Sequence, residues 1–398
     1  METDQLKHQV LEEIRLLSDP DDEAVAEAVV RVLGAEGRQH FLSLKQKQLQ
    51  ARTLFIAIRR LDILQELIDD EGITEIMIIG TAVFVEEAGR IRKWEKEFSS
   101  METVEDIVQR IAGNSNRMLN TRTPMADARL PDGSRVHLVV PPVALDGPVV
   151  TIRRFPKDPI RMRDLIAWES ISEEAAAFLE RLVRAGYNLF ISGGTGSGKT
   201  TFLNALTEYI PREERVILIE DNAELQIRGI PNLVRLEARE KNLEGENEIT
   251  IRQLVRAALR MRPTRLIIGE IRGEEAIDLL QAMNTGHDGS ISTGHANSTR
   301  DMLSRMETMV LMGLDIPMKA IRSQIASGID ILVHLGRLRD RSRKVLEISE
   351  ILGAEEEIRI RTLYAFEEEG EYDGNIKGKW IRKNPLQNTG KLAAAGLL

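Results

Sequence analysis

The sequence predicts an α/β fold, a mainly parallel sheet covered by helices, preceded by an α+β N-terminal domain and a helical N-terminal segment. Three observations predict it. Beyond residue 170, short apolar runs alternate with segments of helical period, the pattern that builds parallel sheets. One strand-to-helix junction, residues 193–200, is a glycine-rich loop of the kind that cradles phosphate. Upstream, Phe155-Pro156-Lys157-Asp158-Pro159 places two prolines in five residues between two differently patterned regions, as a short stiff linker does.

A chain of 398 residues exceeds the usual size of one core, so two or three packed units are expected. With 42% hydrophobic and 29% charged residues it has the material for them. The net charge of −9 gives no global electrostatic case for nucleic acid as the main partner. The absence of cysteine excludes disulfides and thiolate zinc modules and suits a reducing compartment, so a cytoplasmic location is expected. Residues 1–19 lack the apolar core of a signal peptide, and no uncharged apolar stretch reaches about 18 residues. Membrane association is therefore expected to be peripheral, through partners.

Leu6, Val10, Ile14 and Leu17 share one helical face before Asp19-Pro20 interrupts it. Asp21 and Asp22 are placed to cap a second helix over 23–33, and Gly34 suits the left-handed position after its end. Phe41, Leu44, Leu54, Phe55, Ile58, Leu61, Ile63 and Leu67 continue an apolar stripe toward Asp70, so residues 1–70 are read as the helical segment. The α+β unit, 71–155, contains strands 75–79 and 82–86, a helix over 104–112, a hairpin turn at Leu130-Pro131-Asp132-Gly133 and a strand at 149–153. The linker is placed at 156–160 and the larger unit at 161–398.

In that unit a capping-box spacing from Ser170 to Glu173 opens a helix. The expected strands are 188–192, 215–220, 233–237, 265–270 and 290–293. Near the end, 331–335 and 344–351 flank a charged connection over 336–343, read as a hairpin with a long loop and a tail beyond it. The acidic runs 355–357 and 367–369 read as solvated surface.

Gly193-Gly194-Thr195-Gly196-Ser197-Gly198-Lys199-Thr200 fits G-x-x-x-x-G-K-[ST] between an apolar strand and an amphipathic helix. Glycines let the backbone curl so that successive N–H groups point inward, while the helix N-terminus adds positive potential. The nucleotide-binding set is Gly194, Thr195, Gly196, Ser197, Gly198, Lys199, Thr200 and Thr201. Lys199 is placed to reach the β and γ phosphates and Thr200 to offer its hydroxyl to Mg²⁺. A purely structural glycine loop is the alternative.

Hydrolysis needs carboxylates as well, and open parallel sheets present ligand groups at their strand ends. Leu266-Ile267-Ile268-Gly269-Glu270 is an apolar strand ending in an acid, so Glu270 is expected to hold the Mg²⁺ shell or its water. Glu220 and Asp221 end the strand before it, with Glu224 beyond, three acids that could orient or deprotonate water. An ordinary acidic turn would look the same. Thr285-Gly286-His287-Asp288-Gly289-Ser290 and Thr293-Gly294-His295-Ala296-Asn297-Ser298 hold two of the six histidines among small hydrogen-bonding residues. Imidazoles there suit a nucleotide sensor; structural histidines are the alternative, and a metal site lacks supporting spacing.

Together these residues resemble a secretion-superfamily ATPase of the CpaF kind, the class serving tight-adherence pili and type II and type IV secretion. Residues 193–201, 219–226, 269–273 and 285–298 resemble its Walker A, Asp box, Walker B and His box. Ile73-Thr74-Glu75-Ile76-Met77, the stretch 127–136 and Thr151-Ile152-Arg153 carry the likeness into the smaller unit. Thr264 stands where the family often has Asp.

The resemblance implies a RecA-like ATPase using ATP and Mg²⁺, for which glutamate at 270 is normal. It implies a homo-oligomer, a ring hexamer, moving pilin or secreted substrate at the inner face of the plasma membrane beside an inner-membrane platform protein. It further implies that N-terminal-domain arginines reach the nucleotide, and Arg135 and Arg153 occupy the matching stretches; exposed salt-bridging arginines are the alternative. A nucleic-acid translocase on the same core and a non-hydrolysing nucleotide-gated scaffold are the rival classes.

Overall fold

The computed structural model describes residues 3–15, 21–36, 43–59, 61–87, 89–154, 158–239 and 247–398. It divides into two units, Met1–Lys157 and Asp158–Leu398. Pro156 and Lys157 of the expected linker lie outside the described residues, as do Phe155, Leu17, Asp19, Pro20 and Phe41.

In the first unit α1 (Thr3–Ile14), α2 (Asp22–Glu36) and α3 (Leu44–Arg59) pack around Leu6, Val10, Val29 and Leu54. Asp21 caps α2, accepting the Ala24 N–H at 2.8 Å. Gly34 does not end that helix. α2 continues to Glu36, because an internal glycine costs only about 1 kcal/mol and Val32 and Leu33 are already committed to the core. The expected continuous stripe is broken at Asp62 (φ 53°), after which α4 (Leu64–Asp69) begins.

β1 (Ile73–Ile79), β2 (Ala82–Glu87), β3 (Arg90–Lys93), β4 (Met125–Arg129), β5 (Arg135–Val139) and β6 (Val149–Arg153) form an antiparallel sheet in the order β3-β2-β1-β6-β5-β4. One face is apolar. α5 (Met101–Asn114), capped by Ser100, lays Val104, Ile107 and Ile111 on Ile76, Ile78, Val136, Leu138 and Ile152. β3 is exposed at every position, so it carries none of the alternation by which a strand is read.

The second unit comprises α6 (Met162–Ala167), α7 (Glu173–Arg184), β7 (Leu189–Gly193), α8 (Lys199–Leu206), β8 (Val216–Glu220) and β9 (Leu233–Glu237). There follow α9 (Ile251–Ala258), β10 (Arg265–Ile268), α10 (Glu275–Asn284), β11 (Ile291–His295), α11 (Thr299–Gly313) and α12 (Met318–Gly328). β12 (Ile331–Arg337), β13 (Arg343–Ala354), β14 (Ile358–Tyr372), β15 (Asn375–Arg382) and α13 (Gly390–Ala394) complete it. The sheet order is β15-β14-β13-β12-β7-β11-β10-β8-β9. From β12 to β9 neighbours run parallel; β13, β14 and β15 extend the sheet antiparallel. β7, β8 and β10 are buried throughout because helices cover both faces, which is why they read as continuous apolar runs.

Several boundaries differ from expectation, the strands expected over 188–192, 215–220 and 290–293 by one or two residues. Ser172, not Ser170, caps α7 by accepting the Ala175 N–H. The strand expected over 265–270 ends at Ile268, which places Glu270 in the following loop. The expected terminal hairpin has longer strands and a shorter turn, and two more strands follow it. The second acidic run belongs to β14, where Glu367, Glu368 and Glu369 pair with Lys383, Arg339 and Lys379.

Candidate functional site

Parallel strands bring their C-terminal ends to one edge, and there β7 delivers the glycine loop, β8 Glu220, β10 the loop to Glu270, and β11 His295. Gly196 and Gly198 adopt φ of 71° and 94°, a region L side chains enter only with strain. A Cβ on Gly193 would stand 2.5 Å from both the Leu335 carbonyl oxygen and Ser197 Oγ, so the turn admits only glycine. α8 starts directly after the loop, with Gly198 at its N-cap. Curled backbone, helix N-terminus and a lysine together fit a nucleotide phosphate chain.

Lys199 is buried, its ammonium 3.1 Å from the carbonyl oxygens of Gly193 and Gly194 and 3.3 Å from His295 Nδ1. Burial lowers its pKa while Glu270 opposes the shift. An ammonium can only donate, so His295 Nδ1 accepts and the ring proton sits on Nε2. Nε2 is 2.8 Å from Glu270 Oε1, close enough to pair but out of line for a hydrogen bond, and that buried oxygen has no hydrogen-bond partner among the described residues. Burial also lowers the His295 pKa, consistent with a neutral ring. The other oxygen of Glu270 accepts from Arg272 Nη2 at 2.7 Å and Nε at 3.1 Å, and Arg272 Nη1 lies 3.7 Å from Asp221. Glu270, Asp221 and Glu224 all stabilise the Arg272 charge. A chain of contacts thus joins Lys199, His295, Glu270, Arg272 and Asp221.

Glu220 is oriented differently. It is 4% exposed, and its Oε1 accepts the backbone N–H groups of Glu224 and Leu225, each at 2.8 Å. Burial pushes its pKa up to about 7. Its carboxylate holds the loop that carries Asp221 and Glu224. Thr200 and Thr201 sit in the first turn of α8, partly exposed. Among the described residues no three histidine or acidic groups converge as a protein-only metal site.

The structure separates the two sequence-selected histidines. β11 runs from Ile291 beside Leu189 to His295 beside Gly193, so His287, before the strand, stands at the opposite edge. Four strand steps at about 3.3 Å set those edges about 13 Å apart. There His287 Nδ1 is 3.2 Å from the Ala282 carbonyl oxygen, so of the two rings expected to sense nucleotide this one lies away from the glycine loop of its own chain. Arg135 and Arg153 are register partners on β5 and β6 of the first unit, and Arg153 lies 3.8 Å from Glu75. Asp301 and Arg305 were not anticipated. With Gly194, Thr195, Arg272 and His295, Arg305 lines a cleft of about 400 Å³. The only signal for it was an i, i+4 pair following the Ser298 helix cap.

A glycine loop with its lysine, facing an acid from a neighbouring strand loop on the carboxyl edge of a parallel sheet, defines a P-loop ATPase. Residues 59–367 match the model of the type II/IV secretion system protein family, and the chain belongs to that family of ATPases. A Mycobacterium tuberculosis protein provisionally named a conjugal transfer protein is 37% identical over 310 residues, 76% of this chain and 87% of its own. The type IV secretion system protein PtlH of Bordetella pertussis is 35% identical over 252 residues, 56% of this chain and 74% of its own. Among solved structures, the Legionella pneumophila ATPase DotB aligns with TM-score 0.52 at 22% identity, covering 71% of this chain and 78% of that one. The ADP-bound pilus retraction motor PilT gives 0.52 at 20%, covering 69% and 77%. Both are likenesses of fold. Among the described residues no helix is long and apolar enough to cross a membrane.

Proposed function

We propose that this protein is the ATP-hydrolysing motor of a pilus-assembly or secretion system, coupling turnover in a hexameric ring to movement of pilin or secreted substrate at the inner membrane. The contact chain from Lys199 through His295 and Glu270 to Arg272 is the observation that carries the catalytic part. The family match, with relatives named for conjugal transfer and type IV secretion, supports the biological setting. A platform protein would hold the ring at the cytoplasmic face of the membrane, and the net charge of −9 is consistent with protein rather than nucleic-acid cargo.

MgATP supplies the phosphoanhydride whose hydrolysis is the source of work. The N–H groups of residues 194–201 would hold its phosphates, Lys199 would exchange its carbonyl partners for phosphate charge, and Thr200 with Glu270 would serve the Mg²⁺ shell. Glu270, held by Arg272 and beside His295, is the strongest candidate to position water; Asp221 and Glu224 add their charge around Arg272. His295, touching both Lys199 and Glu270, would report the γ phosphate.

Glu270→Gln should bind a fluorescent ATP analogue within about threefold of the parent while kcat falls at least about 100-fold. Unchanged turnover refutes the assigned role. Mass photometry with MgATP at micromolar protein should show hexamers; monomers alone would refute the ring.

A further inference from the structure

One histidine that the ATPase site does not use, His334, is buried beside it. It stands on β12 in register with Ser192 on β7 and with Glu347 on β13. Its Nδ1 lies 2.9 Å from Ser192 Oγ, one residue before the glycine loop begins, and its ring also faces the backbone of Asn297. The Asn297 backbone favours the protonated ring, as a facing carbonyl does, so a ring N–H turned toward Asn297 leaves Nδ1 free to accept the serine hydroxyl. A neutral imidazole with its N–H turned toward Asn297 serves both partners at once, accepting from the serine hydroxyl through Nδ1. Asn297 is held from its other side too. Its N–H donates to Asp301 Oδ2 at 2.8 Å, and the Asp301 N–H donates to Ser298 Oγ at 3.0 Å. Residues 296–298, directly after His295, therefore lie between the His334 ring and the first turn of α11, which holds them by two hydrogen bonds.

The charged groups facing the ring are Glu347 from β13 and Asp301 from α11, which favour protonation, and Lys199 from α8, which opposes it. Burial outweighs them and lowers the pKa below the usual histidine range.

We propose that His334 is a positioning residue for ATP hydrolysis: a buried imidazole that ties the strand leading into the phosphate loop to residues 296–298, and so fixes where His295 meets Lys199 and Glu270. His334 touches none of the reacting atoms; it acts through His295. The proposal rests on the reading of His295 and Glu270 given above.

Glutamine at this position keeps one acceptor and one donor, whereas leucine keeps only bulk. In the full-length protein, His334→Leu should lower kcat about tenfold while the Kd for a fluorescent ATP analogue moves less than about twofold. His334→Gln should recover kcat to within about threefold of the parent. Should the leucine variant fail to fold, Ser192→Ala, which deletes only the hydroxyl, should cost about threefold in kcat at an unchanged melting temperature. Parent-like kcat in a folded His334→Leu or in Ser192→Ala overturns the proposal. So does a glutamine variant as impaired as leucine, or a loss of kcat that merely tracks loss of folded protein. Glu270→Gln measured alongside separates the two readings. If it remains active, the site assignment fails; if it is inactive while folded His334→Leu is parent-like, only the positioning role fails.

Discussion

Replacing Glu220 with glutamine isolates the cost of burying an ionisable group at the head of a strand. Its carboxyl is 4% exposed and accepts two backbone N–H groups, yet desolvation dominates and raises its pKa from 4.5 to about 7. Moving the carboxyl from 4.5 to about 7 corresponds to about 3 kcal/mol. Because the folded pKa lies above the unfolded one, the unfolded chain releases this proton first as pH rises. Stability is lost through the window from 4.5 to about 7, and the full cost is present above it. Glutamine keeps an oxygen acceptor for the same N–H groups and never ionises. The stability of Glu220→Gln relative to the parent should therefore rise by about 2.5 kcal/mol between about pH 5 and pH 8. Urea unfolding followed by fluorescence of Trp168 and Trp380, both in the second unit, would measure it. A stability difference that does not change with pH would refute the reasoning.

Three further perturbations follow from contacts in the second unit. His287→Ala should leave kcat within about twofold and lower the melting temperature, since the ring bonds Ala282 at the edge away from the glycine loop; a kcat loss above about tenfold would restore its sensor role. Gly193→Ala drives a Cβ into the Leu335 carbonyl, backbone that cannot yield, so nucleotide affinity should fall more than about tenfold by titration. Glu350, 1% exposed, accepts the N–H groups of Gln387 and Asn388 at 2.9 and 2.6 Å, while Lys391 pairs with Asp330 and Asp288, both at 2.7 Å. Deleting residues 385–398 leaves that carboxylate buried without its donors and should cost about 3–5 kcal/mol by denaturant titration.

How much of this could be read in advance depended on how local each signal was. The glycine loop is legible because its function resides in one contiguous run whose backbone must curl, and glycine at 196 and 198 declares that directly. β7, β8 and β10 are legible because burial on both faces demands unbroken apolar sequence. β3 and the far half of β14 were hidden for the opposite reason: they are edge or extension strands whose exposed faces carry Arg, Lys and Glu, and charge runs look alike in strands and loops. Ser170 and Ser172 are two residues apart, and which one caps α7 is decided by where α6 releases the chain: the Ser170 N–H bonds back to Leu165.

The sequence by itself determined which chemistry was available: a phosphate loop at 193–200, acids at 220, 221, 224 and 270, and two histidines in a small-residue passage. These follow from residue type and short spacing, which a single chain displays without folding. Only the tertiary structure decided which of them meet. His287 and His295 are eight residues apart and alike in setting, yet β11 spans the sheet between them and delivers only His295 to Lys199 and Glu270. Glu220 and Asp221 are neighbours, but Glu220 ends the buried strand β8 while Asp221 falls in the loop after it, beside Arg272. His334, 142 residues from Ser192 in sequence, reaches it because β12 lies beside β7. Strand order and register set those encounters, and both are long-range properties of the packed sheet that no local run of residues encodes.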